Sequence, residues 1–203
     1  MISQLIDVKN LILLYSQWTS AWHAQVALTQ NAQPWAAAEQ NHNYNFCLWH
    51  EEDIARRDDL PAGRIKEAKR NIDRYNQARN NAMEQIDDWI LAMLQEGGVS
   101  VSLDASLHSE TPGMMIDRLS IMALKEYHMA EQAERVDVSS EHRAKCAVRV
   151  TVLKEQQADL ADALRILLSE LASGRRGFKV YRQFKMYNDP TLNPQLYAGK
   201  SKS

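Results

Sequence analysis

Seven glycines and five prolines punctuate this chain, and no glycine occurs before Gly63. Glycine and proline interrupt regular backbone more strongly than any other residues, so the long stretches between them must be filled by continuous elements. Within those stretches apolar residues recur at three- and four-residue spacing, the period of an α-helix rather than of a strand. Leu5, Val8, Ile12, Tyr15, Trp18, Trp22 and Val26 mark a first helix. A second starts near Pro34, a favoured first-turn residue, and runs to about Asp59. The third begins after Pro61, carries Ile65, Ala68, Ile72, Tyr75, Met83, Ile86, Ile90 and Met93, and stops at Gly97-Gly98. Residues 99–111 form a polar connection whose alternation from Val99 to Leu103 fits a short strand or a loop. Thr111 as N-cap and Pro112 at the first position open a fourth helix to about Arg135. A fifth starts at Ser139 or Ser140, carries Cys146, Leu153, Leu160, Leu164, Leu167 and Leu171, and ends at Gly174. The pattern predicts an all-α fold: a single-domain bundle of about five helices over residues 1–177. A C-terminal aromatic-basic arm and tail, residues 178–203, packs on the bundle or extends from it.

Composition excludes several classes. With 203 residues and 45% hydrophobic side chains, a folded chain of this size buries roughly 70% of its surface, enough for one real core. No apolar run approaches the ~20 residues that span a bilayer. The first seven residues lack a basic n-region and a cleavage site, and Cys47 and Cys146 are too few for a disulfide framework, so a reducing cytoplasm is expected. Residues 1–174 carry 17 Lys+Arg against 25 Asp+Glu, whereas residues 175–203 carry 7 against 1. A basic arm on an acidic body either binds an anionic ligand or docks on that body, with docking the favoured reading, and no nucleic-acid partner is expected.

Polar side chains on faces that should be apolar are the most informative feature. At 100° per residue, Trp35, Ala38, His42, Asn45, Phe46, Trp49, Asp53 and Arg56 share one sector of the second helix. Its aromatics mark that sector as inward, which carries His42, Asn45, Asp53 and Arg56 inward too and leaves Glu51 towards solvent. On the third helix Arg79 sits in the apolar stripe, Asn76 lies at its edge, and Lys69, Asp73, Asn80 and Asp87 form a polar flank. A tight turn at Pro61 makes these helices antiparallel, pairing Asp53 with Lys69, Trp49 with Asp73, Asn45 with Asn76 or Gln77, and His42 with Asn80. The fourth helix is apolar almost all round, the mark of a central helix, yet carries Asp117 and His128 on one face with Arg118 and Lys125 flanking. Three helices with inward polar groups point to a polar, partly cationic cavity.

The chemistry these residues offer is limited. His42 to Asp53 and Asp117 to His128 each span 11 residues, about 16 Å along a helix, so neither pair can hold one ion. No His-x-x-x-His pair occurs; Glu84-x-x-Asp87 is a well-spaced carboxylate pair, a pattern common on exposed helices. No metal site and no cofactor is therefore assigned, although an ion held between helices is left open. Neither cysteine is placed as a nucleophile, and Ser120 has no spaced His or Asp to form a triad. His128 is read either as a satisfied core histidine or as a general acid/base held neutral by Arg118 and Lys125. Trp49, amid His42, Asn45, Asp53 and Arg56, can act as a stacking wall for a sugar or base. The arm residues Phe178, Lys179, Tyr181, Arg182, Phe184, Lys185 and Tyr187 can close over such a cavity or simply cover apolar surface.

Four stretches resemble the motifs of a known family: Asn45-Phe46-Cys47-Leu48-Trp49-His50-Glu51-Glu52-Asp53-Ile54-Ala55-Arg56, Lys69-Arg70-Asn71-Ile72-Asp73-Arg74-Tyr75-Asn76-Gln77-Ala78-Arg79-Asn80, Glu110-Thr111-Pro112-Gly113-Met114-Met115-Ile116-Asp117-Arg118-Leu119-Ser120-Ile121, and Lys185-Met186-Tyr187-Asn188-Asp189-Pro190. The chain is similar over most of its length to an uncharacterised bacterial all-helical family, a domain of unknown function. Members are often encoded near lipopolysaccharide and other surface-glycan glycosyltransferases. The resemblance implies a role in envelope glycan assembly, and implies no reaction or catalytic residue.

The resulting expectation is an enzyme or binding protein for an anionic small molecule, a phosphorylated sugar or nucleotide-sugar. Arg56, Arg79, Arg118 and Lys125 would hold the anion, and Asn45, Asn76 and Asn80 would orient hydroxyls. His42, Trp49, Asp53, Lys69 and Asp73 would complete the binding wall, and Asp117 or His128 would move a proton. Two alternatives stay open: a non-catalytic interaction partner of a glycosyltransferase, and a Mg-dependent all-α nucleotide pyrophosphohydrolase. The latter fits poorly, since that type wants paired acidic motifs on two helices and Glu84-x-x-Asp87 supplies one helix alone.

Overall fold

The computed structural model describes residues 6–25, 33–183 and 189–197. Helix α1 spans Val8–His23, α2 Trp35–Ala55, α3 Ala62–Glu96, α4 Pro112–Glu134, α5 Ser140–Ala172 and the short α6 Pro194–Tyr197. Two-residue strands β1, Ser106–Leu107, and β2, Arg176–Gly177, pair in parallel. The expected helices are present; the alternating stretch from Val99 to Leu103 is a loop, and the strand of the polar connection lies beyond it at Ser106–Leu107.

The helix ends follow local chemistry. Asp7 caps α1, its carboxylate accepting from the backbone N–H groups of Lys9 and Asn10 at 3.0 and 3.2 Å. Thr111 caps α4 by accepting from Met114 N at 3.2 Å, with Pro112 in the first turn, and Ser139 caps α5 by accepting from His142 N at 3.2 Å. Each satisfies a donor that the helix itself leaves unpaired.

Helices α2 and α3 fold back as a long antiparallel hairpin, and α4 and α5 form another. Helix α4 also touches α1, α2 and α3, which explains why its apolar residues leave almost no polar stripe. Leu11 and Tyr15 of α1, Ile86 and Ile90 of α3, Ile116 and Leu119 of α4, and Leu164, Leu168 and Leu171 of α5 build the shared core. No helix among the described residues is long and apolar enough to cross a membrane.

The arm starts inside the fold. Gly174 has φ +69°, a conformation costly for side-chain-bearing residues, and its carbonyl accepts from Ser102 N at 2.9 Å. Phe178 is buried. Arg182 then forks onto α3, donating to Glu84 at 2.9 Å and to both Asp88 oxygens at 2.8 and 2.9 Å. Gln183 accepts from Asn80 Nδ2 at 2.8 Å. The described part of the basic arm thus lies on the acidic flank of α3. Leu5 and Val26 of the α1 stripe, Phe184, Lys185 and Tyr187 of the arm, and the terminal residues after Tyr197 lie outside the described residues.

Candidate functional site

A buried polar network ties α1, α2 and α4 together. Asn41 and Asn45, one turn apart on α2, each donate through Nδ2 to Asp117 Oδ1 at 2.9 Å. Asn45 Nδ2 also donates to Ser120 Oγ at 2.9 Å, and Ser120 Oγ lies 2.8 Å from His42 Nδ1. The other ring nitrogen, Nε2, is 2.8 Å from Thr19 Oγ1, whose hydroxyl donates to the Tyr15 carbonyl at 2.8 Å. Donors and acceptors match in one direction. Thr19 has committed its proton, so His42 Nε2–H donates to it, and His42 Nδ1 accepts from the Ser120 hydroxyl. The imidazole must be neutral for this, and burial lowers its pKa to about 3.

No local spacing points to this Ser–His contact, because the two residues are 78 positions apart on different helices. It is not a catalytic triad. Ser120 and His42 are fully buried, and Asp117 reaches the pair only through Asn45.

Against this network opens a cleft of about 380 Å³ between α2, α3 and α4. Helix α2 contributes Asn45, Trp49, Asp53 and Arg56, helix α3 contributes Asn76 and Arg79, and Leu48, Ile121 and Leu124 supply apolar wall. Six of the residues singled out from the sequence therefore meet at one place. Arg79 joins cleft to network: its Nε is buried without a hydrogen-bond partner and stands 3.9 Å from Asp117 Oδ1. That is beyond hydrogen-bond reach.

The cleft is charge-balanced rather than cationic, with Glu52 and Asp53 opposite Arg56 and Arg79. The missing cations project from another side of α4. Arg118 donates to both Glu110 oxygens at 2.7 and 2.8 Å, and with Lys125 it lines a separate groove of about 780 Å³ against α5. Asp53 and Arg56 are exposed rather than inward, and Arg56 pairs with Glu52 at 2.7 Å. Glu51 does not face solvent; it accepts from Arg64 at 3.1 Å and Asn71 at 2.8 Å across the hairpin. Lys69 pairs with Asp73 on its own helix at 3.0 Å instead of with Asp53. His42 meets Ser120 and Thr19, not Asn80, which holds the arm. His128 is not beside Arg118 and Lys125; its ring stacks on Trp49 at 4.6 Å and faces His23 and His50. Burial, with the imidazoles of His23 and His128 alongside, holds His50 below the usual histidine range. Burial pushes the Cys47 thiol up, away from nucleophilic use at neutral pH. Glu84 is engaged by Arg182 and Asp87 by Gly113 N, so the carboxylate pair of α3 serves packing.

His42 and Asp87 make opposite contributions to pH-dependent stability. The unfolded chain protonates a histidine near 6.5, whereas folded His42 stays neutral down to about 3. Its contribution is therefore complete above pH 6.5 and is lost as pH falls, by about 1.4 kcal/mol per unit. Burial raises Asp87 to about 6, against hydrogen bonds from Thr111 and Gly113, so its contribution is complete below pH 3.8 and is lost as pH rises through 6. Between pH 4 and 6 the two slopes cancel. Asp87→Asn, which retains an acceptor for Gly113 N, is expected to unmask the His42 term. Urea denaturation should show the variant losing roughly 2 kcal/mol more than the wild type between pH 6.5 and 4.5. Equal losses in the two proteins would refute the opposition.

No curated protein and no solved structure matches the chain. The model of a protein family of unknown function, DUF4254, matches residues 35–180, which take in the cleft-lining segments of α2, α3 and α4 together with Asp117 and Ser120. The chain belongs to the DUF4254 family.

Proposed function

We propose that the chain binds a phosphorylated sugar or nucleotide-sugar in the cleft between α2, α3 and α4, acting in the cytoplasm as an enzyme or binding protein of bacterial surface-glycan assembly. The observation that carries this reading is Arg79. Its side chain lines the cleft with about 25% of its surface exposed, and Asp117, 3.9 Å from its Nε, is too far to hydrogen-bond it, so the guanidinium can take a ligand anion at the cleft wall. Trp49 offers an indole for a sugar ring or base, and Asn45 and Asn76 offer amides for hydroxyls. A volume of about 380 Å³ suits one such ligand. Asp117, held by two amides, acts here as a positioning residue for Asn45 and Arg79.

Thermal shift against a panel of sugar phosphates and nucleotide-sugars tests the reading. At a ligand concentration of 100 Kd the expected stabilisation is about 2.7 kcal/mol, a rise of several degrees. Arg79→Ala and Asn76→Ala should each abolish it, and Arg118→Ala should retain it. Absence of a shift with every compound, or retention in both cleft variants, would reject the proposal.

A non-catalytic role as partner of a glycosyltransferase is favoured by a different observation, the exposed Val136, Val148 and Val152 in and before the first half of α5. Replacing the three by Ser should abolish co-purification with such an enzyme while leaving ligand shifts intact.

A further inference from the structure

Three imidazoles from three helices converge beside the aromatic end of the polar network. His23 on the last turn of α1, His50 on α2 and His128 on α4 each bring a ring nitrogen within 4.8 Å of the others. Their ring centroids are 5.2, 5.2 and 5.8 Å apart. Separations of 27 and 78 residues along the chain hide this grouping from any motif search.

The far nitrogens are already committed. His23 Nδ1 lies 2.8 Å from the Thr19 carbonyl, an acceptor, so it must carry the proton. His128 Nδ1 lies 2.7 Å from Glu131 Oε2 and donates to that carboxylate. A neutral ring with its proton on Nδ1 leaves Nε2 a bare lone pair. In both rings Nε2 is buried and has no hydrogen-bond partner. A carbonyl or carboxylate on the far nitrogen is the arrangement that orients metal-binding histidines. The rings are also held from the side: Tyr127 stacks on His23 at 4.5 Å, Trp49 on His128 at 4.6 Å, and Phe46 packs edge-on against His23 and His50 at 4.8 and 4.5 Å.

We propose that His23, His50 and His128 bind one divalent transition-metal ion, with Zn²⁺ the best fit. An all-imidazole donor set disfavours Mg²⁺ and Ca²⁺, which take oxygen ligands, and suits Zn²⁺ and its neighbours. Zn–N bonds of about 2.0–2.1 Å place tetrahedral nitrogens about 3.4 Å apart, so the rings need close by no more than about 1.4 Å. Three protein ligands leave a fourth position for water, the coordination of catalytic rather than structural zinc. Glu131, bound to His128, offsets part of the added charge. The site does not depend on what occupies the neighbouring cleft, although Trp49 belongs to both.

Untagged full-length protein, stripped with a chelator and dialysed, is titrated with ZnCl₂ by calorimetry and with CoCl₂ by visible absorption. One equivalent of each is expected, with the intense d–d bands of a four-coordinate Co²⁺ site. His50→Ala and His128→Ala should each weaken binding at least a hundredfold, and Glu131→Gln by about tenfold. His108→Ala, outside the cluster, should leave binding unchanged, with folding of every variant followed by circular dichroism. The wild-type titration is decisive even where a variant does not fold. Failure of folded wild-type protein to bind either ion stoichiometrically, or undiminished binding in folded His50→Ala, would overturn the proposal.

Discussion

Replacing Asp117 with alanine is expected to lower the stability of the fold by roughly 3–5 kcal/mol. The carboxylate is 6% exposed and takes a hydrogen bond from each of Asn41 and Asn45. Its removal leaves the Asn41 amide without its acceptor, deprives Asn45 of one of two, and removes the negative charge 3.9 Å from Arg79. Breaking a buried group of this kind costs far more than the pair contributes net, because the partners stay buried. Asp117→Asn keeps the volume and one accepting oxygen, so its loss should be less than half as large. Denaturant titration with a two-state fit measures both. A loss below about 1 kcal/mol for the alanine variant would show that the network rearranges or hydrates freely. If the folded Asn variant loses the ligand shift while keeping its stability, Asp117 acts on the ligand through Asn45 and Arg79.

Gly113→Ala is expected to cost about 2–3 kcal/mol, although alanine is the better helix former. A Cβ at this position would overlap the carbonyl oxygen of Met83 and press on the Asp87 carboxylate. Backbone of α3 cannot give way as a flexible side chain can, so α4 must move, and the 2.7 Å hydrogen bond from Gly113 N to Asp87 is lost with it. Gly63, in the first turn of α3, is the built-in comparison. Nothing lies within 4 Å of a Cβ there, so Gly63→Ala should stabilise by roughly 0.5–1 kcal/mol. Thermal melts of the two variants should shift in opposite directions, and a common sign would contradict the close α3–α4 approach.

Much of the fold was readable because the signals are local. Thr111-Pro112 announces the start of α4 within one turn, Ser139 that of α5, and Gly174 the end of the leucine row, since caps act over three or four residues. The candidate site was readable in part. Asn45, Trp49, Asp53, Arg56, Asn76 and Arg79 do share one cleft, while Lys69, Asp73, Asn80, Arg118 and Lys125 lie elsewhere. The sector of α2 marked by its aromatics is inward at Ala38, His42 and Asn45 but not at Asp53 and Arg56, because its bulkiest residues do not lie at the centre of the buried face. Its buried residues are Ala37, Ala38, Glu39, Asn41, His42, Asn45 and Leu48, whereas Phe46 and Trp49 are half-buried against imidazoles. Asn41, outside the aromatic sector, is fully buried as well.

By itself the sequence determined which helices form, where most of them begin and end (α2 stops at Ala55 rather than near Asp59), which of them is central, and that polar groups enter the interior. Those outcomes follow from backbone preferences and from apolar periodicity, which act within a few turns of chain. Tertiary structure alone decided how far each helix is rotated about its axis. That rotation paired His42 with Ser120, separated Arg118 and Lys125 from the cleft, and gathered His23, His50 and His128. A shift of one-third of a turn changes every partner at no cost in local helix propensity, so only packing against neighbouring helices can fix it.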